Sequence, residues 1–501
     1  MINTYANRFV QAMKDNFNYT HTDNGALAHK STGYAVYDLF ARGGAMRQSS
    51  DADILNIFNN ALNEDEVLAR KCLFYLRDVR GGQGERRFFR VCLRWMAQTH
   101  PDMYLKNIEL IPEYGRWDDI ICTAYDTSVW PEAVRLIRKQ LTLDMASMVQ
   151  GKHEGISLLG KWLPSENASS PVTKMFARQL IKDLKMTPKV YRKTLSALRE
   201  RIKVLEKLMS ANRWNEIEFD KIPSKAGLIY RNAFARRDII REKYKTFAQS
   251  TDTKVNAKTL FPYEVVRQAR ECNDYISDSN RLMVNKYWDN LTDYFADKTF
   301  DGMAVVDTSA SMTWSGYNVM PIDVAISLGM YCAEKAKGPF HGHYISFSRT
   351  PRLVSIEGFD FVDKVHRIVE SNVCENTNLR AVFDMIRDMV LRGKISATDI
   401  PKNLVVISDM QIDSGSNWRS KDKVLTDMET IRAEWAVYGL KMPKLIYWNV
   451  NATNPTILDD GPNVSYVSGC SPSIFEQIMT GKTGYELMRS VLDSERYQAV
   501  K

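Results

Sequence analysis

The sequence predicts two kinds of fold in one chain: a predominantly helical array followed by a doubly wound α/β domain. Three observations lead to this prediction. Residues 1–298 contain helix-sized apolar patterns with short Gly, Pro or Asn breaks and little strand-like alternation. The C-terminal third alternates short apolar runs with helical patterns, as parallel sheets with crossover helices do. Finally, 501 residues exceed what one hydrophobic core usually covers.

The first domain, residues 1–298, is predicted to be a helical-repeat module. Helical patterns are clear at residues 52–62, 64–78, 85–98 and 131–140. Consecutive helical hairpins bury their apolar faces on one another, so the series predicts a HEAT-like solenoid or ring. The hairpins show no fixed period, which makes the repeats degenerate.

The second domain is predicted to span residues 299–482, with a helical tail at 483–501. Strand patterns fall at residues 303–306, 343–347, 403–409, 444–450 and 464–467, and helical patterns at 322–336, 361–369, 375–389, 424–435 and 472–479. The run from Asn403 to Asp409 is almost wholly apolar and ends in an acid. This is typical of a buried parallel strand with a functional residue at its carboxyl end.

A cluster of oxygen-bearing side chains follows the strand pattern at 303–306. The run Asp307-Thr-Ser-Ala-Ser311 places a carboxylate and two hydroxyls on one predicted strand-to-helix turn. Hard divalent cations take such oxygen ligands, and Mg²⁺ in particular keeps positions for water or an outside ligand. The turn therefore predicts a divalent cation site, with Mg²⁺ as the favoured ion.

Two alternatives apply to the same turn. Ser and Asp are ordinary turn and helix-cap residues, so these side chains could cap helices without any metal. A nucleophilic aspartate after a strand also begins haloacid-dehalogenase-type phosphotransferases, which resemble D-x-D. The second acid is Ser309 here, which would leave the nucleophile without its proton donor. We therefore predict a protein that is not an enzyme and has no small-molecule substrate.

Together with two later segments, the turn resembles the metal-ion-dependent adhesion site of von Willebrand factor A (vWA) domains. Asp307, Ser309 and Ser311 match the first motif, Thr377 matches the threonine loop, and Asp409 matches the acid after the fourth-strand-like run. The resemblance implies a vWA fold in which these five residues hold the cation. It also implies that the cation can receive a carboxylate from a partner protein.

A degenerate helical array followed by a vWA domain resembles the Ro autoantigen, or TROVE-type, proteins, and more closely an uncharacterised Ro-like vWA group that also occurs in bacterial viruses. The resemblance rests on residues 76–86 (LRDVRGGQGER), 113–119 (EYGRWDD), 161–164 (KWLP), 222–226 (IPSKA) and 233–238 (AFARRD). It implies a ring of repeats closed by the vWA domain, binding structured or misfolded RNA as a ribonucleoprotein without catalysis.

The distribution of charge gives an independent reason to expect RNA. Residues 172–207 contain eleven basic and three acidic residues, an excess equal to the formal net charge of +8 of the whole chain. The predicted RNA-binding residues are Lys174, Arg178, Lys182, Lys185, Lys189, Arg192 and Lys193. The first four have helical spacing, which lines them along one face, and a phosphate backbone would relieve their repulsion.

Aromatic residues near this stretch could stack on unpaired bases. They are Tyr191, Trp214, Tyr230 and Phe234. The alternative is a solvated helix face with aromatics in the core. The glycine turns at 42–44 and 80–84 could offer backbone N–H groups to phosphate, although interhelical turns explain them equally simply.

Compartment is inferred from what the sequence lacks. The N-terminus has no apolar run of signal-peptide length, and no later segment reaches the ~18 apolar residues that a membrane helix needs. The seven cysteines are odd in number and widely spaced, which favours reduced thiols. The predicted location is the cytoplasm, with no membrane partner.

Two functional hypotheses lead, and metal-dependent hydrolysis remains open as a third. The first is a non-enzymatic RNA-binding protein with a divalent-metal vWA site. The second is a protein-interaction scaffold that uses the vWA metal site without RNA, with the basic helix docked on protein.

Overall fold

The computed structural model describes residues 17–151, 155–202, 204–272, 278–296, 298–313, 319–347, 350–370, 378–412, 427–452, 456–459, 461 and 463–501. The strands are β1 (Tyr19–His21), β2 (Leu27–His29), β3 (Gly302–Asp307), β4 (His343–Phe347), β5 (Arg352–Ser355), β6 (Asn403–Ser408), β7 (Lys444–Asn449) and β8 (Val464–Ser468). The helices are α1 (Ala35–Gly43), α2 (Asp51–Glu64), α3 (Glu66–Arg77), α4 (Arg86–Thr99), α5 (Pro101–Lys106), α6 (Ile111–Tyr114), α7 (Trp117–Ala124), α8 (Trp130–Val149), α9 (Leu159–Trp162), α10 (Pro171–Asp183), α11 (Pro188–Arg201), α12 (Leu205–Ser210), α13 (Ser224–Arg236), α14 (Asp238–Gln249), α15 (Pro262–Arg270), α16 (Asp278–Asp289), α17 (Pro321–Lys335), α18 (Phe361–Glu370), α19 (Leu379–Leu391), α20 (Asp427–Val437), α21 (Phe475–Ile478) and α22 (Gly484–Leu492).

The chain forms two compact units, and neither is continuous in sequence. The first, the sheet unit, comprises Met1–Cys72, Leu260–Tyr275 and Leu291–Ser494. The second, the helical unit, comprises Leu73–Thr259, Ile276–Asn290 and Glu495–Lys501. The predicted combination of a largely helical region with an α/β region is confirmed.

The sheet unit is built on a six-stranded mixed sheet with the order β5-β4-β3-β6-β7-β8. All neighbouring pairs are parallel except β4 and β5. Strands β3 and β6 are fully or almost fully buried, as their near-continuous apolar sequences predict. From β3 the chain crosses to β4 on one side, whereas β6 leads to β7 on the other. The order therefore reverses between β3 and β6, where open α/β sheets bind their ligands.

The N-terminal segment of the sheet unit was not expected there. Strands β1 and β2 form a hairpin, and His29 forms an isolated bridge with Ile457. Helix α1 packs against β8. The Tyr37 hydroxyl accepts a 2.6 Å hydrogen bond from the backbone N–H of Tyr466. Residues 19–43 thus complete the α/β core rather than begin the helical array.

The helical unit consists of helices that pack on near neighbours in sequence. Contacts join α4 to α7, α9 to α11 and α8 to α11, while α13, α14 and α16 contact one another. Phe219, Phe234 and Tyr244 form an aromatic core with ring centroids 5.2–5.7 Å apart. Local pairing of helices agrees with the predicted hairpins, and ring closure stays a prediction.

Most predicted elements agree with the structure to within a few residues, and the exceptions have simple causes. Strand β5 was missed because its four residues are largely exposed and carry no apolar run. Helix α8 continues to Val149 because Met145, Ala146 and Met148 extend a helix-forming sequence. The predicted helix 472–479 divides into a 3-10 turn, Pro472–Ile474, and the short α21. The tail contains α22 and a 3-10 turn at Glu495–Tyr497.

Candidate metal centre and nucleic-acid interface

The candidate metal centre lies where β3 and β6 end side by side. Asp307 is the last residue of β3, and Asp409 directly follows β6. The two strands are parallel, with Val306 opposite Ile407. Because parallel neighbours finish at the same edge of a sheet, the two carboxylates come together there.

Four of the five predicted ligands meet at this edge. The Ser309 and Ser311 hydroxyls lie 3.0 Å apart, and Ser311 hydrogen-bonds Asp409. The backbone N–H of Ser309 donates to Asp307 Oδ1 at 2.9 Å. The fifth predicted ligand, Thr377, lies outside the described residues, which resume at Asn378.

Both acids are buried, at 0% exposure for Asp307 and 3% for Asp409. Burial, followed by repulsion from Asp409, raises the pKa of Asp307 to about 7. Burial is also the main cause of the raised pKa of Asp409. Hydrogen-bond donors, rather than cations, oppose these shifts. Among the described residues no positive charge offsets the two carboxylates, and a divalent cation would supply one.

Several contributors to the site were missed at the sequence level. Ser408 donates from Oγ to Asp307 Oδ2 at 2.5 Å and accepts from the N–H of Met410. Met410 has a φ of 65°, a left-handed conformation that costs a non-glycine residue about 1–2 kcal/mol. Strain of this kind accumulates at functional sites. Methionine gives no sequence signal for a positive φ, so this feature could not have been anticipated.

The β1–β2 hairpin also reaches this edge of the sheet. The Asp23 N–H donates to Gln411 Oε1 at 2.7 Å, and the Asn24 side chain donates to the Gln411 carbonyl at 2.7 Å. Asp23 in turn raises the pKa of Asp409. Residues almost 390 positions apart therefore share one site, which no local pattern in the sequence could reveal.

The donor set fits a hard cation that takes a few oxygen ligands from the protein and the rest from water. Within the part of the chain that the structure describes, no group of three or more His, Cys, Asp or Glu side chains could hold a metal ion. The set consists instead of two carboxylates and two hydroxyls, which suits Mg²⁺ with water completing its shell. It does not suit Zn²⁺, which takes Cys and His ligands.

The predicted RNA-binding residues lie on α10, α11 and the turn between them. Both helices begin in the same way, with a capping hydroxyl and a proline in the first turn. Ser170 accepts from the Thr173 N–H at 3.3 Å, and Thr187 accepts from the Val190 N–H at 3.2 Å. Lys174 is half-buried, and the other six residues are exposed. We call these seven residues the basic surface.

The predicted helical alignment of Lys185 is wrong. Helix α10 ends at Asp183, and Lys185 has a φ of 56° in the turn that follows. Its N–H donates to the Lys182 carbonyl at 3.0 Å, as residues after a helix C-terminus do. Lys174, Arg178 and Lys182 do share a face of α10 at four-residue spacing.

Most of the basic surface has no neutralising partner among the residues that the structure describes. Arg192 forms an ion pair with Glu166 at 2.6 Å. For the other six residues no ion pair is found within the described ranges. By contrast, the nearby Arg199 is a structural residue that donates to the carbonyl oxygens of Gly160 and Leu163 at 2.8 and 2.9 Å.

The proposed role of the aromatics is not supported for three of the four residues. Tyr191, Trp214 and Phe234 are buried, and the Tyr191 hydroxyl donates to the Pro164 carbonyl at 2.8 Å. Only Tyr230 is half-exposed. The three buried rings pack in the core of the helical unit, so bases cannot stack on them.

The glycine turns are structural turns. In the second turn, the Gln83 and Gly84 N–H groups donate to the carbonyls of Tyr75 and Asp78 at 3.1 and 3.0 Å. A Cβ at Gly82 would lie 1.9 Å from the Tyr75 carbonyl oxygen, so this close approach requires glycine. In the first turn, the Gly44 N–H donates to Ser468 Oγ at 3.0 Å. These amides are therefore not available to a phosphate.

Three of the local motifs converge within the helical unit. Arg77, from the motif 76–86, donates to the fully buried Asp119, from the motif 113–119, at 2.9 and 3.0 Å. The Arg116 guanidinium lies 4.0 Å from the ring centroid of Trp162, in the motif 161–164. Segments that seem scattered in sequence thus form one polar cluster.

Two further observations concern compartment and redox state. No helix among the described residues is long and apolar enough to cross a membrane. The six cysteines within the described ranges are all free. The seventh, Cys374, lies outside them.

Two family models match the chain. One, described as a domain of unknown function (DUF2828), matches residues 22–120 and 127–300. Another, described as a domain of unknown function (DUF7788), matches residues 301–499. The chain is also similar to the uncharacterized protein L728 of Acanthamoeba polyphaga mimivirus, with 28% identity covering 93% of this chain and 85% of that protein.

Proposed function

Because the chain belongs to the DUF2828 family, whose description names no activity, we propose its function from its own residues: a non-enzymatic RNA-binding protein of Ro-like organisation. The basic surface binds structured or misfolded RNA, and the sheet unit is a vWA-like domain with a divalent cation. The observation that carries the proposal is the basic surface, on which six of seven cations lack an ion pair within the described residues.

The charge arrangement favours a polyanion over a discrete acidic partner. Lys182, Lys185, Lys189 and Lys193 are exposed along the end of one helix and the start of the next. Unpaired like charges so close together repel one another, and a phosphate backbone relieves this repulsion at several points while releasing counterions. Exposed Val172, Met175 and Val190 lie among the cations and offer apolar contact to bases or sugars.

The vWA-like assignment is supported by strand order and by the position of the acids. Asp307, Ser309, Ser311 and Asp409 converge at the point where the strand order reverses. We propose that they hold Mg²⁺, either directly or through water, and that Thr377 completes the set. Bound there, the cation supplies an open position for the carboxylate of a partner protein.

Binding should be tested with a fluorescently labelled structured RNA that has an unpaired end, by anisotropy across a salt series. Wild-type affinity is expected to fall steeply with salt, with a log–log slope of about −0.7 to −0.9 per phosphate neutralised. The quadruple variant Lys182→Glu, Lys185→Glu, Arg192→Glu and Lys193→Glu is expected to weaken binding and to reduce the slope by about three to four.

A matched variant distinguishes the effect of the basic surface from the effect of net charge. Arg236, Lys245, Lys254 and Lys258 are also exposed in the helical unit, and changing all four to Glu makes the same change in charge. The proposal requires this control to retain most of the affinity. Equal losses in both quadruple variants, or a wild-type affinity insensitive to salt, would refute it.

A protein-interaction scaffold is the second candidate, and the buried Asp307–Asp409 pair is the observation that favours it. A cation at that pair would grip a partner carboxylate without any RNA. Purification of the full chain distinguishes the two functions. Nuclease-sensitive absorbance at 260 nm supports RNA binding, whereas a stoichiometric protein released by a chelator supports the scaffold.

A further inference from the structure

A row of arginines on the helical unit is not used by the proposed function. Arg86 and Arg90 are four residues apart on α4, so they share one face of the helix. Arg90 donates to Asp119 at 2.5 Å and to Asp118 at 2.8 Å. Arg116 donates to both carboxylate oxygens of Asp118, at 2.7 and 2.8 Å. We call Arg86, Arg90 and Arg116 the arginine row.

Positive charge exceeds negative charge at the arginine row. Two carboxylates, those of Asp118 and Asp119, face four guanidinium groups. These are the three of the row and that of Arg77, which also donates to Asp119. Arg86 is exposed and has no hydrogen bond or ion pair within the described residues. Although its side chain is exposed, partial desolvation by the surrounding protein, followed by repulsion from Arg116 and Arg90, lowers the pKa of Arg86. Glu85, the adjacent acid, caps the helix by accepting from the Arg87 N–H at 3.1 Å.

Two members of the row, Arg90 and Arg116, are held in place before any ligand arrives. Each of Arg90 and Arg116 has a carboxylate partner, and their side chains are 27% and 24% exposed. The Arg116 guanidinium also lies 4.0 Å from the ring centroid of Trp162, within range of a cation–π contact. A Cβ at Gly115 would lie 2.6 Å from Asp119 Oδ2, so glycine permits the close placement of that acid. Rigid forks of this kind bind planar or tetrahedral oxyanions with little loss of entropy.

We propose that the arginine row is a phosphate-binding site in which Arg86 makes the principal contact and Arg90 and Arg116 reinforce its field. The ligand is a phosphoryl group of RNA, either a terminal monoester or a backbone diester. Arginine matches phosphate oxygens in bidentate geometry, and Arg86 is the member of the row with no other partner among the residues that the structure describes. The identity of this ligand rests on the proposed function, whereas the anion site itself does not.

The site should be tested first with inorganic pyrophosphate, by calorimetry on the full chain at constant ionic strength. Arg86→Glu is expected to weaken pyrophosphate binding at least tenfold. Without anion, the same variant should melt at or above the wild-type temperature, because the new carboxylate faces Arg90 and Arg116 rather than a like charge. Loss of a merely structural residue would instead lower the melting temperature.

Arg236→Glu is the matched control, since Arg236 is exposed on the same unit and has no ion pair within the described residues. It should bind pyrophosphate within about twofold of wild type. Pyrophosphate binding that is undetectable in wild type, or equal in wild type and Arg86→Glu, overturns the proposal. If Arg86→Glu does not fold, Arg86→Gln is measured against the same criteria.

RNA arms then distinguish the source of the phosphate. An oligoribonucleotide with a 5′ phosphate and the same sequence with a 5′ hydroxyl are compared in wild type and Arg86→Gln. Selective loss with the phosphorylated form identifies a terminal monoester, and equal loss with both identifies the backbone. Pyrophosphate binding through Arg86 without any RNA affinity would refute the proposed function and leave the anion site standing.

Discussion

Replacing Asp307 by Asn is expected to stabilise the metal-free protein at alkaline pH, although the change removes a predicted metal ligand. Asp307 is completely buried beside Asp409, and its pKa rises to about 7. Asn has nearly the same shape. Its oxygen can still accept from the Ser309 N–H, and its amide can donate to Ser408 Oγ, so the substitution removes charge with little loss of hydrogen bonding.

The size of the effect follows from the pKa. An unfolded aspartate has a pKa of about 3.9, so a folded value of about 7 costs the folded state about 4 kcal/mol once the group is ionised. The sign depends on pH. Below about pH 4 the acid is protonated in both states and costs nothing. The cost grows as the pH rises through the unfolded pKa and is complete above the folded pKa.

The assay is thermal melting of Asp307→Asn and wild type between pH 5 and pH 8.5 in a chelator. The variant should melt on the order of 5–8 °C higher at pH 8.5, with a smaller difference at pH 5. Mg²⁺ should raise the melting temperature of wild type and leave the variant unchanged. A variant that melts at or below wild type at pH 8.5 would refute the electrostatic reasoning. A stabilised variant with no Mg²⁺ effect in either protein would refute the metal site alone.

Asp493→Asn provides a control of opposite sign within the same unit. Partial burial raises the pKa of Asp493, but hydrogen bonds from Arg489 and Lys71 lower it overall. An acid with a lowered folded pKa stabilises the protein above its unfolded pKa and loses that contribution as the pH falls. Asp493→Asn should therefore lose stability at neutral pH and regain parity with wild type in acid.

Two further predictions concern backbone conformation. Gly82→Ala should destabilise the protein by more than about 2 kcal/mol, because the new Cβ would lie 1.9 Å from the Tyr75 carbonyl oxygen. Gly81→Ala should destabilise it less, because the nearest atom to its new Cβ would be 3.3 Å away. Equal melting temperatures for the two variants would contradict this reasoning. Lys185→Gly should stabilise the protein by about 1 kcal/mol, because glycine adopts the φ of 56° without strain. Lys182→Gly, within α10, should destabilise it by about as much. If thermal melting shows Lys185→Gly to be neutral or destabilising, the left-handed turn is not strained.

The parts of the fold that local pattern controls could be predicted from sequence. The run 403–409 is a buried strand because parallel strands covered on both faces are almost wholly apolar. The resemblance to vWA domains implied that Asp307 and Asp409 meet, and the parallel pairing of β3 with β6 accounts for their meeting. The helical spacing of Lys and Arg residues likewise predicted the position of the basic surface. The sequence did not predict that α10 ends before Lys185.

Long-range packing could not be predicted. The contact of Asp23 with Gln411 joins parts of the chain that share no pattern, and the burial of Tyr191 depends on a carbonyl at Pro164. The charge-rich motif from Glu113 to Asp119 is typical of a surface sequence, yet Asp119 is completely buried. Ion pairs with Arg77 and Arg90 compensate its charge there. Sequence shows which residues are charged, and only the tertiary structure shows which charges neutralise one another.

The discontinuity of both units has a consequence for how the chain is made. Residues 495–501 belong to the helical unit, where Arg496 donates to Asp78 at 2.6 and 2.9 Å and the Asn107 side chain accepts from the Lys501 N–H at 2.8 Å. At a synthesis rate of about 5–20 residues per second, helices emerging early wait tens of seconds for this last segment to leave the ribosome. The β1–β2 hairpin waits almost as long for the last strand of the six-stranded sheet in its unit. Each unit is therefore incomplete in the nascent chain until its last segment has emerged, and fragments cut between residues 298 and 299 would separate segments that each unit needs.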